Sequence, residues 1–508
     1  MPISESPRRT RLLAALSAAL GAGLTAATAC DRHIPLTQTA LTHAAPGETL
    51  CLQGGLRSAP LHIEGLHGTA AAPIRIVNAP GERVVFDTPG TEAIRIRDSS
   101  HLQLTGSHQN GRPGDPYGIA VQRARNKGIR IDGASHDLEL DYLEVSGVTF
   151  LNRSAAGIWF NGTGSGAPAR GLDLHHCYVH DVGSEGIYIG PSDYYAGGPA
   201  GRTIHVHHNR VEDTGWDAIQ VGAARQDCAI HHNTVRRDSR AGEPGQRAGI
   251  NANDGSRCAI YANRILDGGG TGVLLNQPAG GEVYDNLVVR AALEGIKVNR
   301  NDHEAPGAIA IQHNTVVAAA GHGIAYYDNH GAPYTVRNNL LADIGGIPLA
   351  GTWRPNGQVD HNTVGDLAGL AFRDPARDDY HPAAGSPAID AGAATAITTD
   401  LDGVPRQGAP DTGAYEYLHA PADRDGDGID DAHDNCPAQA NPTQRDTDGD
   451  RHGNRCDPDF DNDGRVNFRD LARFVSHPAE IHVDLDGDGQ RDGRDLDILR
   501  GFFLRGPG

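Results

Sequence analysis

Residues 184–190 read Ser184-Glu185-Gly186-Ile187-Tyr188-Ile189-Gly190. The core of this stretch, a small residue followed by an apolar, a variable and a second apolar residue, returns along the chain. It stands as Gly128-Ile129-Arg130-Ile131, Gly157-Ile158-Trp159-Phe160, Ala218-Ile219-Gln220-Val221, Gly249-Ile250-Asn251-Ala252, Gly272-Val273-Leu274-Leu275, Gly295-Ile296-Lys297-Val298 and Gly323-Ile324-Ala325-Tyr326. Apolar residues at every second position describe a short strand. Recurrence at roughly two to three dozen residues describes a stacked repeat. A second column, Asn209, Asn233, Asn263, Asn286, Asn314, Asn339 and Asn362, precedes apolar pairs, with Cys177 in the same place one turn earlier. One such repeat cannot bury its apolar face, whereas stacked coils bury Ile and Val from every rung and pair each backbone with its neighbours. The pattern predicts an all-β parallel β-helix.

If the Ile of each Gly-Ile pair points inward, its successor points outward, and rungs lie about 4.8 Å apart. One outward column then reads Arg130, Trp159, Tyr188, Gln220, Asn251, Leu274, Lys297, Ala325. It is flanked by Asp132, Asn161, Gly190, Gly222, Asn253, Asn276, Asn299, Tyr327 and by Lys127, Ala156, Glu185, Asp217, Ala248, Thr271, Glu294, His322. Sugars stack on aromatic rings and bond to amides and carboxylates, so Trp159 and Tyr188 beside an Asn-rich strip fit a glycan groove. Glu185 and Asp217 on successive rungs offer the carboxylate pair that a glycoside hydrolase needs. His175, His207 and His231 also stack, each followed by a second histidine; because the column continues as Tyr261, Tyr284 and Gln312, a structural ladder is expected rather than a transition-metal site.

Of the 508 residues, 44 are Lys or Arg and 64 are Asp or Glu, a formal charge of -20 that argues against a nucleic-acid partner. Residues 423–508 hold 21 acids and 11 arginines, half of that excess. Arg8, Arg9 and Arg11, an apolar run from Leu12 to Leu24 and Ala27-Thr28-Ala29 make a secretory signal over residues 1–29. The mature chain is expected outside the cytoplasm, secreted, on the cell surface or in the periplasm. No second stretch is long enough to span a membrane. Export permits disulfides, and Cys30 with Cys51 and Cys436 with Cys456 are the expected local pairs. Cys228 and Cys258 share a repeat column and are expected as small buried thiols. Lysine occurs only at Lys127 and Lys297.

The opening rungs carry a family resemblance. Pro46-Gly47-Glu48-Thr49-Leu50, Gly68-Thr69-Ala70-Ala71-Ala72-Pro73-Ile74-Arg75-Ile76 and Gly81-Glu82-Arg83-Val84-Val85-Phe86 resemble the first rungs of secreted right-handed β-helix polysaccharide lyases related to chondroitinase B and alginate lyases. The resemblance implies a right-handed β-helix over residues 30–372 and β-elimination on an acidic, uronate-containing polysaccharide. It also implies Lys297 as base, Arg300 lowering its pKa and assisting the leaving oxygen, and Asn251, Asn253, Asp254 and Asn276 holding calcium or the substrate carboxylate, with Asn299 beside them. Glycoside hydrolysis and non-catalytic glycan binding or display stay open. Residues 373–420, with Ser386-Pro387-Ala388-Ile389-Asp390 and Asp411-Thr412-Gly413-Ala414-Tyr415, are similar to a terminal segment of such proteins and are expected as last rungs and cap.

Beyond Pro421 the composition changes. Asp423, Asp425, Asp427, Asp434-Asn435-Cys436-Pro437, Asp446, Asp448, Asp450 and Cys456-Asp457 resemble a thrombospondin type-three repeat over residues 421–458, which implies calcium as cofactor. Oxygen ligands at alternate positions converge on one hard cation where a glycine turns the chain. Two twelve-residue calcium spacings follow: Asp459, Asp461, Asp463, Asn467 and Asp470, then Asp484, Asp486, Asp488, Asp492 and Asp495. Each leads into an apolar helical pattern, so residues 459–508 resemble a dockerin with paired EF-hand loops. That resemblance implies a cohesin-like or cell-surface partner.

Overall fold

The computed structural model describes residues 30–506 except 91, 108–114, 150–154, 162–166, 193, 328–329, 419–423, 428, 430, 432 and 477–482. The signal-peptide segment 1–29 and Asp423 therefore lie outside the described residues. The chain divides into two units, Met1–Glu416 and Tyr417–Gly508.

In the first unit the short period-two strands stack into three long parallel sheets, two of thirteen strands and one of twelve. Successive strands in a sheet are one coil apart in sequence. The unit is a right-handed parallel β-helix. The twelve-strand sheet carries the Gly-Ile motifs and is called here the Gly-Ile sheet. One thirteen-strand sheet contains the stacked histidines; the other follows the asparagine column.

Ile129, Ile158, Ile187, Ile219, Ile250, Val273 and Ile296 occupy one inward column and are fully buried. Between the histidine sheet and the next, each coil from Tyr142 to His361 bends at one residue in the left-handed region, among them His176, His208 and His232 at φ 52–54°. Polar side chains such as His, Asn and Asp are the non-glycine residues enriched in that conformation. From Asn209 to Asn339 the residue after the bend is a buried asparagine. Asn286, for example, donates from Nδ2 to the carbonyls of Ile260 and Tyr284, while its Oδ1 accepts from the Asn263 amide. Repeated from Asn209 to Asn362, this ladder satisfies backbone groups that the bend removes from the sheets.

Two expectations are corrected. Cys228 and Cys258 form a disulfide, because parallel register sets them directly opposite each other with Cα atoms 4.5 Å apart. Cys30–Cys51 and Cys436–Cys456 are also disulfides, and Cys177 is a buried free thiol. Residues 373–416 add no further coil to the three sheets. After the antiparallel pair Phe372–Asp374 and Asp379–Pro382, the chain runs back along the helix as an irregular strap. Buried Arg406 pairs with Asp285 at 2.7 Å and Glu416 at 3.2 Å, and Ala414 N donates to Thr315 Oγ1. Without regular apolar alternation this segment cannot continue the sheets, and its polar groups bind the coil bends instead.

The second unit holds the Asp-rich loops and two helices, Phe468–Ser476 and Gly493–Phe502. Phe460, Val466, Phe474, Val483, Leu485 and Leu499 form its small core. Among the described residues no helix is long and apolar enough to cross a membrane.

Candidate functional site

The outer face of the Gly-Ile sheet has the register expected from sequence. Arg130, Trp159, Tyr188, Gln220, Asn251, Leu274, Lys297 and Ala325 are successive partners in one column. Two insertions border this face. After Gly190, Tyr194 N donates to Asp254 Oδ2 at 2.5 Å, and the Tyr195 hydroxyl donates to Glu304 Oε1 at 3.0 Å. Tyr195 also stacks on His303 at 4.3 Å. On the opposite edge, Ser239, Arg240 and Ala241 donate their amides to the carbonyls of Trp216, Thr214 and Gly215. Asp238 is buried at the root of that turn, which lifts its carboxyl to about 6.

Trp159 is the aromatic centre of the N-terminal end. Lys127 Nζ lies 5.1 Å from its ring centroid and the Arg130 guanidinium 5.4 Å. Arg130 and Arg95 both pair with Asp132. Lys127 is 4% exposed, and its buried Nζ has no hydrogen-bond partner. Burial brings its pKa down to about 8, against the opposing pull of Glu185. Glu185 stands two rungs away in the same edge column, with Ala156 between. It is also 4% exposed. Burial lifts its carboxyl to about 8, and the charge of Asp217 adds to that rise. The column therefore contains an amine and a carboxylic acid that both titrate just above neutrality, the range suited to proton transfer.

Asp217 has no exposed surface. Its Oδ1 accepts from Ala248 N at 2.7 Å and its Oδ2 from Asn251 Nδ2 at 2.8 Å, and burial still raises its carboxyl to about 7. Asn253, Asn276 and Asn299 form a second amide ladder, each Nδ2 of the later rung donating to the Oδ1 before it at 2.8 and 2.9 Å. Tyr188 and Gln220 both meet Ser192 Oγ, at 2.8 and 3.0 Å. Lys297 Nζ is held 2.9 Å from Glu294 Oε1. Burial alone would raise the Glu294 carboxyl, but the bond and charge of Lys297 bring it below its ordinary value. Arg300 is exposed and pairs with Asp302 at 2.6 Å. The structure thus gathers Trp159, Tyr188, Glu185, Asp217 and Asn251 on one stretch of the face; Lys297 and Arg300 stand farther along it, each with its own carboxylate. Sequence reasoning placed Lys127 on this face without assigning it chemistry. The available signal was its rarity, since it is one of only two lysines.

Among the described residues of the second unit, carboxylates converge in four groups: Asp425 with Asp427 and Asp434, Asp446 with Asp448 and Asp450, Asp459 with Asp461 and Asp470, and Asp484 with Asp486 and Asp488. Asp434 Oδ2, Asp461 Oδ1 and Asp484 Oδ1 are buried without a hydrogen-bond partner. Buried carboxylate oxygens without donors suit a hard cation such as calcium. Asp463 and Asn467 line the first loop, while Asp492 caps the last helix in a reciprocal pair with Asp495.

Comparison with known proteins agrees with this geometry at the level of fold. Residues 201–364 match the family model described as right handed beta helix region. The helix is of the right-handed β-helix type. Residues 421–444 and 445–479 match the thrombospondin type 3 repeat, whose second match takes in the first of the two loops read as dockerin-like. No curated protein matches the chain. Similar solved structures include a GH136 lacto-N-biosidase from Eubacterium ramulus, 15% identical, covering 65% of this chain and 63% of that one with a TM-score of 0.43. A pectate lyase is 15% identical over 74% of this chain and 89% of its own, TM-score 0.44. An alginate lyase from Paenibacillus sp. str. FPU-7 is 15% identical over 65% and 99%, TM-score 0.35. The β-helix chain thus spans less than two thirds of the lacto-N-biosidase, and no residue role is carried over from these neighbours.

Proposed function

We propose that this chain is a carbohydrate-active enzyme that cleaves an acidic, uronate-containing polysaccharide by β-elimination on the outer face of the Gly-Ile sheet. The observation that carries the reading is the Lys127–Glu185 column beside Trp159. β-Elimination needs a neutral base for the proton next to the uronate carboxylate and an acid for the leaving glycosidic oxygen. An amine titrating near 8 supplies the first, and a carboxyl titrating near 8 keeps a proton at neutral pH for the second. In the step, Lys127 Nζ takes the carbon-bound proton, the C–H electron pair becomes the new C=C bond, and the C–O bond breaks. Glu185 gives its proton to the departing oxygen. Loss of a proton from the Lys127 ammonium to solvent and uptake of one by Glu185 restore the start. Arg130 and Lys297 are the cations of the outer column for substrate carboxylates, and Trp159 and Tyr188 are the sugar platform.

Hydrolysis through Glu185 and Asp217 is the alternative. It is less well supported because both Asp217 oxygens are already engaged, by Ala248 N and by Asn251 Nδ2. The Asp-rich second unit is read as a calcium-dependent attachment module, and the mature chain as an exported protein beginning at Cys30; N-terminal sequencing of the exported protein tests the latter.

The deciding assay is ultraviolet absorbance of unsaturated products from alginate, pectate and chondroitin, with wild type, Lys127→Ala and Lys297→Ala. Absorbance that vanishes in Lys127→Ala supports the assignment. Activity retained there but lost in Lys297→Ala moves the base to Lys297. Reducing ends without absorbance move the assignment to hydrolysis, and silence in both assays across a broad polysaccharide panel favours a binding or display role.

A further inference from the structure

The histidine sheet carries chemistry that the proposed reaction does not use. Three adjacent rungs present histidine pairs, His175–His176, His207–His208 and His231–His232, whose Nδ1 atoms lie 2.8 Å apart within each pair. The first members stack on one another at 4.9 and 4.8 Å. Only one Nδ1 of each pair can carry the shared proton. On the first of these rungs the surroundings differ. Asp141 lies directly opposite His175 in register, and Glu139 lies opposite Asp173. His175 Nε2 faces Glu139 Oε1 at 3.4 Å, Glu139 Oε2 accepts from Gln103 Nε2 at 2.7 Å, and Asp141 Oδ1 is buried with no hydrogen-bond partner. One ligand atom from each of Glu139, Asp141 and His175 lies within 4.8 Å of the others.

We propose that Glu139, Asp141 and His175 bind a divalent cation of the zinc class, with His176 as a positioning residue. A proton on His175 Nε2 serves Glu139 alone, as His207 Nε2 serves Asp173 one rung on, and leaves Asp141 Oδ1 without a partner. When His175 instead donates from Nδ1 to His176, its Nε2 lone pair, Glu139 and Asp141 Oδ1 are three acceptors close together, and a cation among them serves all three. A nitrogen ligand with two carboxylates selects a borderline metal over calcium, and ligands about 2.1 Å from a common zinc ion stand closer together than these atoms do. Asp141 Oδ1 itself carries no hydrogen bond that metal binding would have to displace. A histidine held by its other ring nitrogen is the usual arrangement of a zinc ligand. The next rung lacks the site, because the place corresponding to Asp141 there is His175 itself.

The test titrates the metal-stripped full chain with zinc in saturating calcium, so that the Asp-rich loops are filled, and reads stoichiometry and affinity by calorimetry. Cobalt absorption serves as the spectroscopic signature of a nitrogen-containing site. One zinc per chain is expected. The isosteric Asp141→Asn should bind at least tenfold more weakly, and His176→Ala about tenfold more weakly. A double His208→Gln/His232→Gln variant, which changes only exposed rings, should bind normally. Unaltered binding in Asp141→Asn, or loss of binding in the exposed-ring variant instead, overturns the assignment. Far-UV circular dichroism of each variant identifies any that fails to fold, and cobalt spectra of the wild type decide the question independently: the spectrum of an all-oxygen site, without the ligand-field bands of an imidazole ligand, also overturns it.

Discussion

Lys127 Nζ rests 5.1 Å from the Trp159 ring centroid and has no hydrogen-bond acceptor. The indole shields the amine from water, and loss of hydration brings the amine towards neutrality. Trp159→Ala should therefore rehydrate the amine and let its pKa rise from about 8 towards its ordinary value. The ascending limb of the pH–rate profile should move to higher pH, while Trp159→Phe, which keeps a cover, should leave it close to wild type. A limb that stays in place in Trp159→Ala excludes Lys127 as the titrating base.

Three buried carboxyls on one edge of the Gly-Ile sheet set a pH dependence of stability. Glu185 titrates at about 8, Asp217 at about 7 and Asp238 at about 6, all raised chiefly by burial. Between the unfolded carboxyl range and these values the folded state binds more protons than the unfolded state, so stability falls as pH rises. Their contribution is fully present below about pH 4 and is lost progressively up to about pH 8. Lys127, depressed from 10.5 to about 8, acts oppositely, adding stability as pH rises through 8 to 10.5. Urea denaturation across this range should show the decline, and Glu185→Gln should flatten its upper part.

The buried asparagine ladder is predicted to be a main support of the coil bends. Asn286→Ala removes donors to two buried carbonyls and the acceptor for the Asn263 amide. At about 1–3 kcal/mol for each buried group left unpaired, a loss of at least about 2 kcal/mol is expected. Chemical denaturation measures it; a change below about 0.5 kcal/mol would show that water replaces the amide.

Joining Cys228 to Cys258 closes a loop across one coil. Its removal in Cys228→Ser/Cys258→Ser should cost about 2–4 kcal/mol, mainly through a freer unfolded chain. Thiol titration of the unfolded, unreduced protein should find only Cys177.

Calcium removal should act on the second unit alone. Converging aspartates without a cation repel one another, and metal binding to such loops is coupled to folding. Chelation should lower the helical signal of Phe468–Ser476 and Gly493–Phe502 and expose the 421–506 region to protease, while the β-helix signal persists. Asp461→Ala should weaken calcium binding at the first helical loop. An unchanged helical signal in chelator would make that unit metal-independent.

Much of the fold was legible in sequence because a β-helix writes its geometry locally. Gly-Ile-x-apolar at each coil states which side chains point inward, and the asparagine after each bend states where the coil turns. For that reason the outward columns from Arg130 to Ala325 align on sequence alone. The same alignment carried the candidate face and both of its rare lysines; only the structure shows that Lys127 Nζ is buried without a hydrogen-bond partner whereas Lys297 pairs with Glu294.

Sequence by itself determined the all-β coil, its inward and outward residues and the Asp-rich spacing of the second unit, since each depends on residues a few positions apart. Tertiary structure alone decided the Cys228–Cys258 pairing, the return of residues 373–416 along the helix and the near-neutral titration of Lys127 and Glu185. Those properties depend on register between coils and on exclusion of water. Both are set by contacts between residues tens of positions apart, where unequal loops hide the distance from any local pattern.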